Sequence, residues 1–434
     1  MGKLDRYFVK YGQEAFSTLK RAEPELPTSG KPGQTVAPNF SPDQEAAYHS
    51  IQMWLKNRSS KLITLGGVAG SGKTRLTSIL AGDLANKKVA FATLTGKAST
   101  VLRNKMRDMG VVSPRHTVST IHSLIYQCFT HPESGRPVWK RKTKENFGNY
   151  DLVVLDEASM VSGEILEDIQ SFGPRILAVG DHAQLPPVGG SASLMASPDL
   201  RLEKIHRQAM GNPILELSAI VREQGALPAT LPGNGDERVR YIKRNEFIDW
   251  MTVAYKELPL EEVAALCWTN NVRTRLNSIL RQIHFDAPDL GPEPREDDQV
   301  ICLKNAYNVA FNGMRGRIKS IKPSKSEHFY EGQADFVEDS VRFRGSINRH
   351  VFGLDKGVQE LSALEPMGLT AESWRDLGFL LDYGYCLTVH KAQGSQFHTV
   401  AYVYERNTGS TSDMKKRHIY TGITRAATRL WIVI

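Results

Sequence analysis

An α/β fold with two helix-covered parallel sheets in tandem is what this sequence predicts, and three observations predict it. Short apolar runs of strand length alternate with longer segments of helical periodicity, the pattern left by parallel strands joined through crossover helices. The alternation occurs twice, and the second set is interrupted by a stretch of short β-rich pieces. At 434 residues the chain is also too long for a single hydrophobic core.

Taken in order, the first 38 residues carry Pro24, Pro27, Pro32 and Pro38 with Gly30 and Gly33, which reads as a short helix followed by a flexible linker. The folded body then begins near Asn39 with "SPDQEAAYHSIQMWL" (helix), "KLITLGG" (strand), "TRLTSILAGDLANK" (helix) and the strands "KVAFATL", "DLVVLDE" and "RILAVGD". These assign residues 39–122 and 150–200 to a first sheet domain. The intervening residues 123–149 are an insertion in which "HPESGRP" is a turn signal flanked by Phe129 and Trp139, so a β-hairpin is expected there. A second α/β set, "VAALCWTNNVRTRLNSILRQI", "YGYCLTVHKAQGSQFHTVAYVYE" and "YTGITRAATRLWIVI", assigns 201–299 and 382–434 to a second sheet domain. Between its halves, residues 300–381 hold "QVICLKN", "NGMRGRIKSI" and "DSVRFRGSI", which suggests a small inserted β-barrel.

Composition narrows the class. Hydrophobic residues make up 41% and charged residues 24%, ordinary for a soluble protein, and no apolar run reaches the roughly eighteen residues that span a bilayer. No membrane partner is expected. Cys128, Cys267, Cys302 and Cys386 are far apart with no CxxC pair, which signals neither a zinc site nor a disulfide framework and makes a reducing compartment the default. The first residues, "MGKLDRYFVKYGQEAF", lack the apolar core of a secretory signal, so a cytoplasmic location, in a bacterium or a phage-infected host, is the expectation. The net charge of +8 favours a polyanionic partner. The densest cluster, "WKRKTKENF" at Trp139 to Phe147, sets an aromatic at each end of four cations; it reads either as a solvated loop or as a phosphate-contacting element with stacking side chains.

The chemistry begins at "GGVAGSGKT". Gly67, Gly72, Lys73 and Thr74 match the phosphate-binding G-x-x-x-x-G-K-[ST] pattern, after a strand and at the start of a helix, as its geometry demands. Glycines let backbone N–H groups wrap phosphates, Lys73 spreads charge over the β- and γ-oxygens, and the Thr74 hydroxyl ligates Mg²⁺. The nucleotide site accordingly takes in Ala69, Gly70, Ser71 and Arg75 as well, and ATP with Mg²⁺ is the expected pair. In "LVVLDEASM" an apolar strand ends in Asp156, expected to hold the Mg²⁺ shell, and Glu157, expected to orient or deprotonate the attacking water. In "AVGDHAQLPPVGG" a further strand runs into Gly-Asp and then Gln184, an uncharged amide placed to sense the γ-phosphate. Neither the Asn-Lys-x-Asp base reader of a GTPase nor the Ser-Gly-Gly signature of an ABC ATPase is present.

With "GDHAQLPPVG" the chain resembles superfamily 1 helicases of the group that includes RecD, Pif and the Dda helicases of T-even phages. Dda is nearest in size and layout, and the resemblance covers about residues 39 to 434. It implies two RecA-like domains in tandem, with a hairpin inserted in the first and an SH3-like barrel in the second. It implies further that Gln44 of "FSPDQ" contacts the adenine base, and that Thr95 and Lys97 of "TLTGKAS" and Thr120 and His122 of "STIHSLI" grip single-stranded DNA. Arg207 of "LEKIHRQ" and Arg425 of "YTGITRA" would approach the γ-phosphate from the second domain, where a guanidinium fork meets phosphate oxygens bidentately. In "YCLTVHKAQGSQF", Thr388, His390 and Lys391 would face the strand, with Gln393 and Gly394 nearer the nucleotide.

The function so implied is an ATP-dependent helicase that moves 5′ to 3′ on single-stranded DNA and unwinds duplex in replication, recombination or repair. Phe129 or Trp139 of the hairpin would act as a wedge on the first base pair of fork DNA, the plainer reading being a surface hairpin with no such role. The alternative is a translocase that removes bound proteins or remodels branches without processive unwinding. A nucleotide-gated adaptor without catalysis would normally have lost Lys73 or Glu157, and both are here. Replication proteins such as a single-strand-binding protein or a sliding clamp are candidate partners. Leu4, Tyr7 and Phe8 stand at the spacing of clamp-binding peptides, although Met1 replaces the usual Gln and a disordered or self-packing tail is the plainer reading.

Overall fold

The computed structural model describes residues 40–57, 60–130, 137–186, 194–204, 211–233, 235–304, 312–336, 341–353, 377–406 and 410–434, all within one compact unit, Phe40–Ile434. The tail motif at Leu4, Tyr7 and Phe8 lies outside these residues.

The first sheet comprises β1 (Leu62–Gly67), β2 (Val89–Thr93), β3 (His116–Thr120), β6 (Leu152–Leu155), β7 (Arg175–Gly180) and β8 (Leu200–Leu202), in the order β3-β2-β6-β7-β1-β8 and parallel throughout. Parallel sheets are covered on both faces, and the strands read as apolar runs for that reason. Along β2, Val89 and Phe91 point into one core with Ile51, Leu65 and Leu80, while Ala90 and Ala92 point into the other with Ile121, Val153 and Ile169. Strand β8 pairs with β1 through Leu202, so the first sheet runs two residues past the boundary expected at 200.

Between β3 and β6, β4 (Tyr126–Thr130) and β5 (Pro137–Arg141) pair antiparallel as the expected hairpin, Cys128 opposite Trp139 and Phe129 opposite Val138. The side chains of Phe129 and Trp139 lie outside the described residues.

The second sheet is parallel as well: β9 (Val239–Ile242), β10 (Val263–Cys267), β16 (Cys386–Thr388), β17 (Phe397–Val403) and β18 (Ala426–Val433) are ordered β16-β10-β17-β18-β9. One face buries Leu266, Val400, Tyr402 and Leu430 under helices Pro213–Gln224 and Ser412–Ile423. The other buries Val263, Ala265, Ala401 and Trp431 under Phe247–Glu257 and Asn270–Phe285.

Inserted between β10 and β16 is an antiparallel sheet of β11 (Gln299–Cys302), β12 (Arg315–Pro323), β13 (Phe329–Phe336), β14 (Val341–Asn348) and β15 (Leu381–Tyr383), ordered β14-β13-β12-β11-β15. Edge strand β14 exchanges backbone hydrogen bonds with Phe379, just ahead of β15, so the sheet curls back on itself. Buried arginines tie it to the second sheet: Arg315 donates to the carbonyls of Gly384, Leu260 and Val263, and Arg281 pairs with Asp298 at 2.7 Å. Among the described residues, no helix is long and apolar enough to cross a membrane.

Candidate functional site

The phosphate loop leaves the central strand β1 and enters helix Lys73–Asp83, with Gly70 (φ 78°) and the N-cap Gly72 (φ 82°) in the left-handed region that glycine occupies without penalty. Gly67 is needed for closeness instead, since a Cβ there would stand 2.6 Å from Ser71 Oγ and 2.9 Å from Lys73 Cγ. Lys73 curls over the loop and donates from Nζ to the carbonyls of Gly67 (2.6 Å) and Val68 (3.1 Å). Thr74 follows in the first turn of the helix, and Arg75 beside it is half-buried.

Asp156 and Glu157 follow β6 at the carboxyl edge of the sheet, where open α/β sheets bind ligands. Asp156 is pushed up to about 6 by burial and by the charge of Glu157, and it accepts the Glu157 amide at 3.0 Å. Glu157 adopts φ 54°, ψ 38°, a conformation costing a non-glycine residue about 1–3 kcal/mol, and its buried Oε2 accepts no hydrogen bond from the described residues. The donor set also suits Mg²⁺: a half-buried carboxylate beside a second one calls for a cation, and Thr74 supplies a hydroxyl oxygen.

Beyond β7, Asp181 organises the loop that carries Gln184 by accepting from Ala183 N (2.9 Å) and Gln184 Nε2 (3.3 Å). Gln184 is buried, and its Oε1 accepts no hydrogen bond from the described residues. Second-domain groups hold this loop. Thr421 Oγ1 accepts from Leu185 N (2.9 Å), Gln393 Nε2 donates to Leu185 O (2.7 Å), and Arg417 donates to the carbonyls of His182 (2.8 Å) and Gln184 (3.1 Å). The Leu185 side chain joins the second domain's core with Tyr420 and Ile423. Tyr420 reaches furthest. Its hydroxyl accepts from Ala69 N in the phosphate loop (2.7 Å) and donates to Asp181 Oδ2 (2.8 Å). Burial, then the Asp181 charge, raises its pKa well above the usual value, so the hydroxyl keeps the proton it donates.

Other expected residues are placed differently. Gln44 is 1% exposed; its Nε2 donates to Ser71 O (2.7 Å) and its Oε1 accepts from Ser41 N, so the carboxamide braces the phosphate loop against helix Pro42–Lys56. Arg425 is buried and turned onto its own domain, donating to Thr421 O, Ser395 O and Thr424 Oγ1. Arg207 lies outside the described residues. Phe147, at one end of the basic cluster, belongs neither to a solvated loop nor to a ligand-stacking face but to the core: it is 5% exposed and stacks on Phe172 at 4.1 Å.

The residues expected on the strand-binding face are helix caps and sheet-edge groups. Thr95 caps helix Gly96–Asp108 by accepting from Ala98 N, and Thr120 caps Ile121–Ile125 by accepting from Ser123 N; the Lys97 side chain is outside the described residues. A Cβ on Gly394 (φ 73°) would meet Met160 Sδ at 3.4 Å and Thr95 Cγ2 at 3.7 Å, so the second domain's "HKAQGS" turn packs beside Thr95. Thr388 closes β16, His122 and His390 are held below the usual imidazole range by burial, and Lys391 Nζ lies 3.4 Å from Asn312 Oδ1. Tyr420, Thr421, Arg417 and Asp181 were not singled out in the sequence. The 3.6-residue period would have put 417, 420 and 421 on one helix face, but nothing local says what that face meets.

Comparison with known proteins agrees with this layout. A family model described as an AAA domain matches residues 39–249, and one described as a UvrD-like helicase C-terminal domain matches 383–433. The chain is 28% identical to the ATP-dependent RecD2 DNA helicase of Deinococcus radiodurans over 86% of its own length and 46% of that protein, so it spans about half of this relative. It is 23% identical to the ATP-dependent DNA helicase Pif1 of Campylobacter jejuni over 58% of this chain and 63% of that one. A crystal structure of Bacteroides Pif1 with ADP-AlF3 and single-stranded DNA superposes with a TM-score of 0.48 and 16% identity, covering 89% of this chain and 91% of that one.

Proposed function

From a chain that belongs to the RecD- and Pif-like helicases of superfamily 1, we propose an ATP-dependent DNA helicase that tracks 5′ to 3′ along single-stranded DNA and opens forks. The observation that carries the reading is the seam. Phosphate loop, Asp156, Glu157 and Gln184 stand on one parallel sheet, while the helix that grips the Gln184 loop stands on the other. A ligand that reshapes the phosphate loop must act on both domains, and alternating their hold on a strand converts that into steps.

In the hydrolytic step Lys73 leaves its carbonyl partners for the phosphates, Glu157 takes the proton of the attacking water, and Gln184 offers its open Oε1 to orient that water. Thr74 and Asp156 would hold Mg²⁺, which supplies charge neutralisation at the triphosphate. Arg425 would supply transition-state charge only after turning from Ser395 O and Thr421 O toward the seam. Thr95, Thr120, Thr388, His390 and Lys391 would take the DNA backbone, with the hairpin as wedge.

The test is ATP hydrolysis by the full chain with and without single-stranded DNA, then unwinding of duplexes bearing a 5′ or a 3′ tail. Stimulation by DNA, a 5′-tail requirement and loss of both activities in Lys73→Ala are expected. Stimulated hydrolysis without strand separation would leave a translocase, and a 3′-tail requirement would reverse the polarity.

A further inference from the structure

We infer that Tyr420 is a positioning residue: one buried hydroxyl that reports the state of the phosphate loop to the second domain and so couples nucleotide to DNA affinity. The inference rests on the helicase reading and adds to it the residue through which the two sites communicate.

A tyrosine hydroxyl has one proton to give and lone pairs to receive. Here both capacities are used at once, on groups far apart in sequence: Ala69 N of the phosphate loop donates to it, and it donates to Asp181 Oδ2. Asp181 in turn receives Gln184 Nε2, so a continuous relay runs from the phosphate loop through the second domain to the γ-phosphate sensor. The side chain is 1% exposed, so water is excluded as a substitute partner. Rigidity backs it: a Cβ on Gly422 would stand 2.7 Å from the Tyr402 ring, so helix Ser412–Ile423 lies hard against β17.

The relay's far end matters for DNA. Arg425 follows five residues later, between the end of this helix and β18, and its donor to Ser395 O ties it to the "HKAQGS" turn that packs beside Thr95. When phosphates draw the loop's N–H groups or turn Gln184, the Ala69–Tyr420–Asp181 relay must shift or break. The helix moves with it, and the Thr388–Lys391 turn follows.

The experiment uses the full chain and linkage. Affinity for an oligo-dT strand is measured with and without a non-hydrolysable ATP analogue, and affinity for the analogue with and without the strand. The wild type is expected to show a coupling factor well away from one. Tyr420→Phe, which removes only the hydroxyl, should bring that factor to within about twofold of one while each separate affinity changes less than about threefold. Asp181→Ala cuts the same relay from the first domain and should also lose the coupling, read from the coupling factor alone because this carboxylate holds Ala183 N and Gln184 Nε2 as well, with the double variant's coupling factor no nearer to one than that of the stronger single variant. Coupling kept in both single variants overturns the inference. A protein merely loosened at the seam would lose both separate affinities and melt earlier, which also counts against it. A wild type that shows neither coupling nor DNA-stimulated hydrolysis would sink the helicase reading instead.

Discussion

At the scale of single residues, the chemistry concentrates where the backbone is least comfortable. Glu157 is one of three non-glycine residues with positive φ among those described, and it is the one at the site. Replacing it by Gln keeps size and hydrogen-bonding reach but removes the base, so kcat should fall by about 10²–10⁴ with nucleotide affinity nearly unchanged. Steady-state kinetics beside equilibrium binding of an ATP analogue check this; a matched fall in affinity would mean that Glu157 serves the loop rather than the reaction. The phosphate loop, Asp156 and Glu157 were legible in the sequence because each is a local pattern at a strand end. The bond from Gln44 to Ser71 and the stacking of Phe147 on Phe172 were not legible, because they depend on partners that no local pattern names.

Among elements, helix Ser412–Ile423 does most to join the halves, and it carries a pH dependence. His418 is fully buried on it, stacked on Trp268 at 3.8 Å with Nδ1 3.0 Å from the Tyr402 hydroxyl, and burial holds its pKa down at about 3. The unfolded chain takes up a proton below about 6.5 that the fold refuses, so stability rises with pH between about 3 and 6.5. Going from pH 7 to pH 5 should cost about 2 kcal/mol through this group, at about 1.4 kcal/mol per unit. Urea melts at the two pH values should show that difference shrink in His418→Gln; an unchanged acid limb would clear His418 of the effect. The hairpin Tyr126–Arg141 is the second element with a distinct task. Phe129→Ala and Trp139→Ala should each impair fork unwinding far more than DNA-stimulated hydrolysis, and equal losses in both assays would remove the wedge.

At the scale of the whole molecule, the two parallel sheets share a seam that is partly apolar. Leu185 leaves the first domain and is buried in the second domain's core, which contributes about 1.5–3 kcal/mol to docking. Calorimetry should therefore show the two domains of the wild type melting together, and Leu185→Ala should split the endotherm into two. A single transition shifted as a whole would mean that docking does not depend on this anchor. The two-sheet architecture was visible in the apolar runs, because strands covered on both faces cannot alternate with polar residues, as β2 and β10 illustrate. The seam was not visible, since its hydrogen bonds join residues such as Ala69 and Tyr420, whose proximity exists only once both sheets have formed.

Strand β18 also carries a kinetic implication. It sits inside its sheet, with Leu430 registered against both Val400 and Val239, so β9 and β17 have no shared neighbour until residue 433 has been synthesised. The first sheet is complete once Leu202 emerges. During translation the protein must therefore spend a long interval with one half organised and the other presenting bare β edges. That interval is when a nascent-chain chaperone would have most to shield, and when proteolysis of ribosome-stalled chains would find the asymmetry.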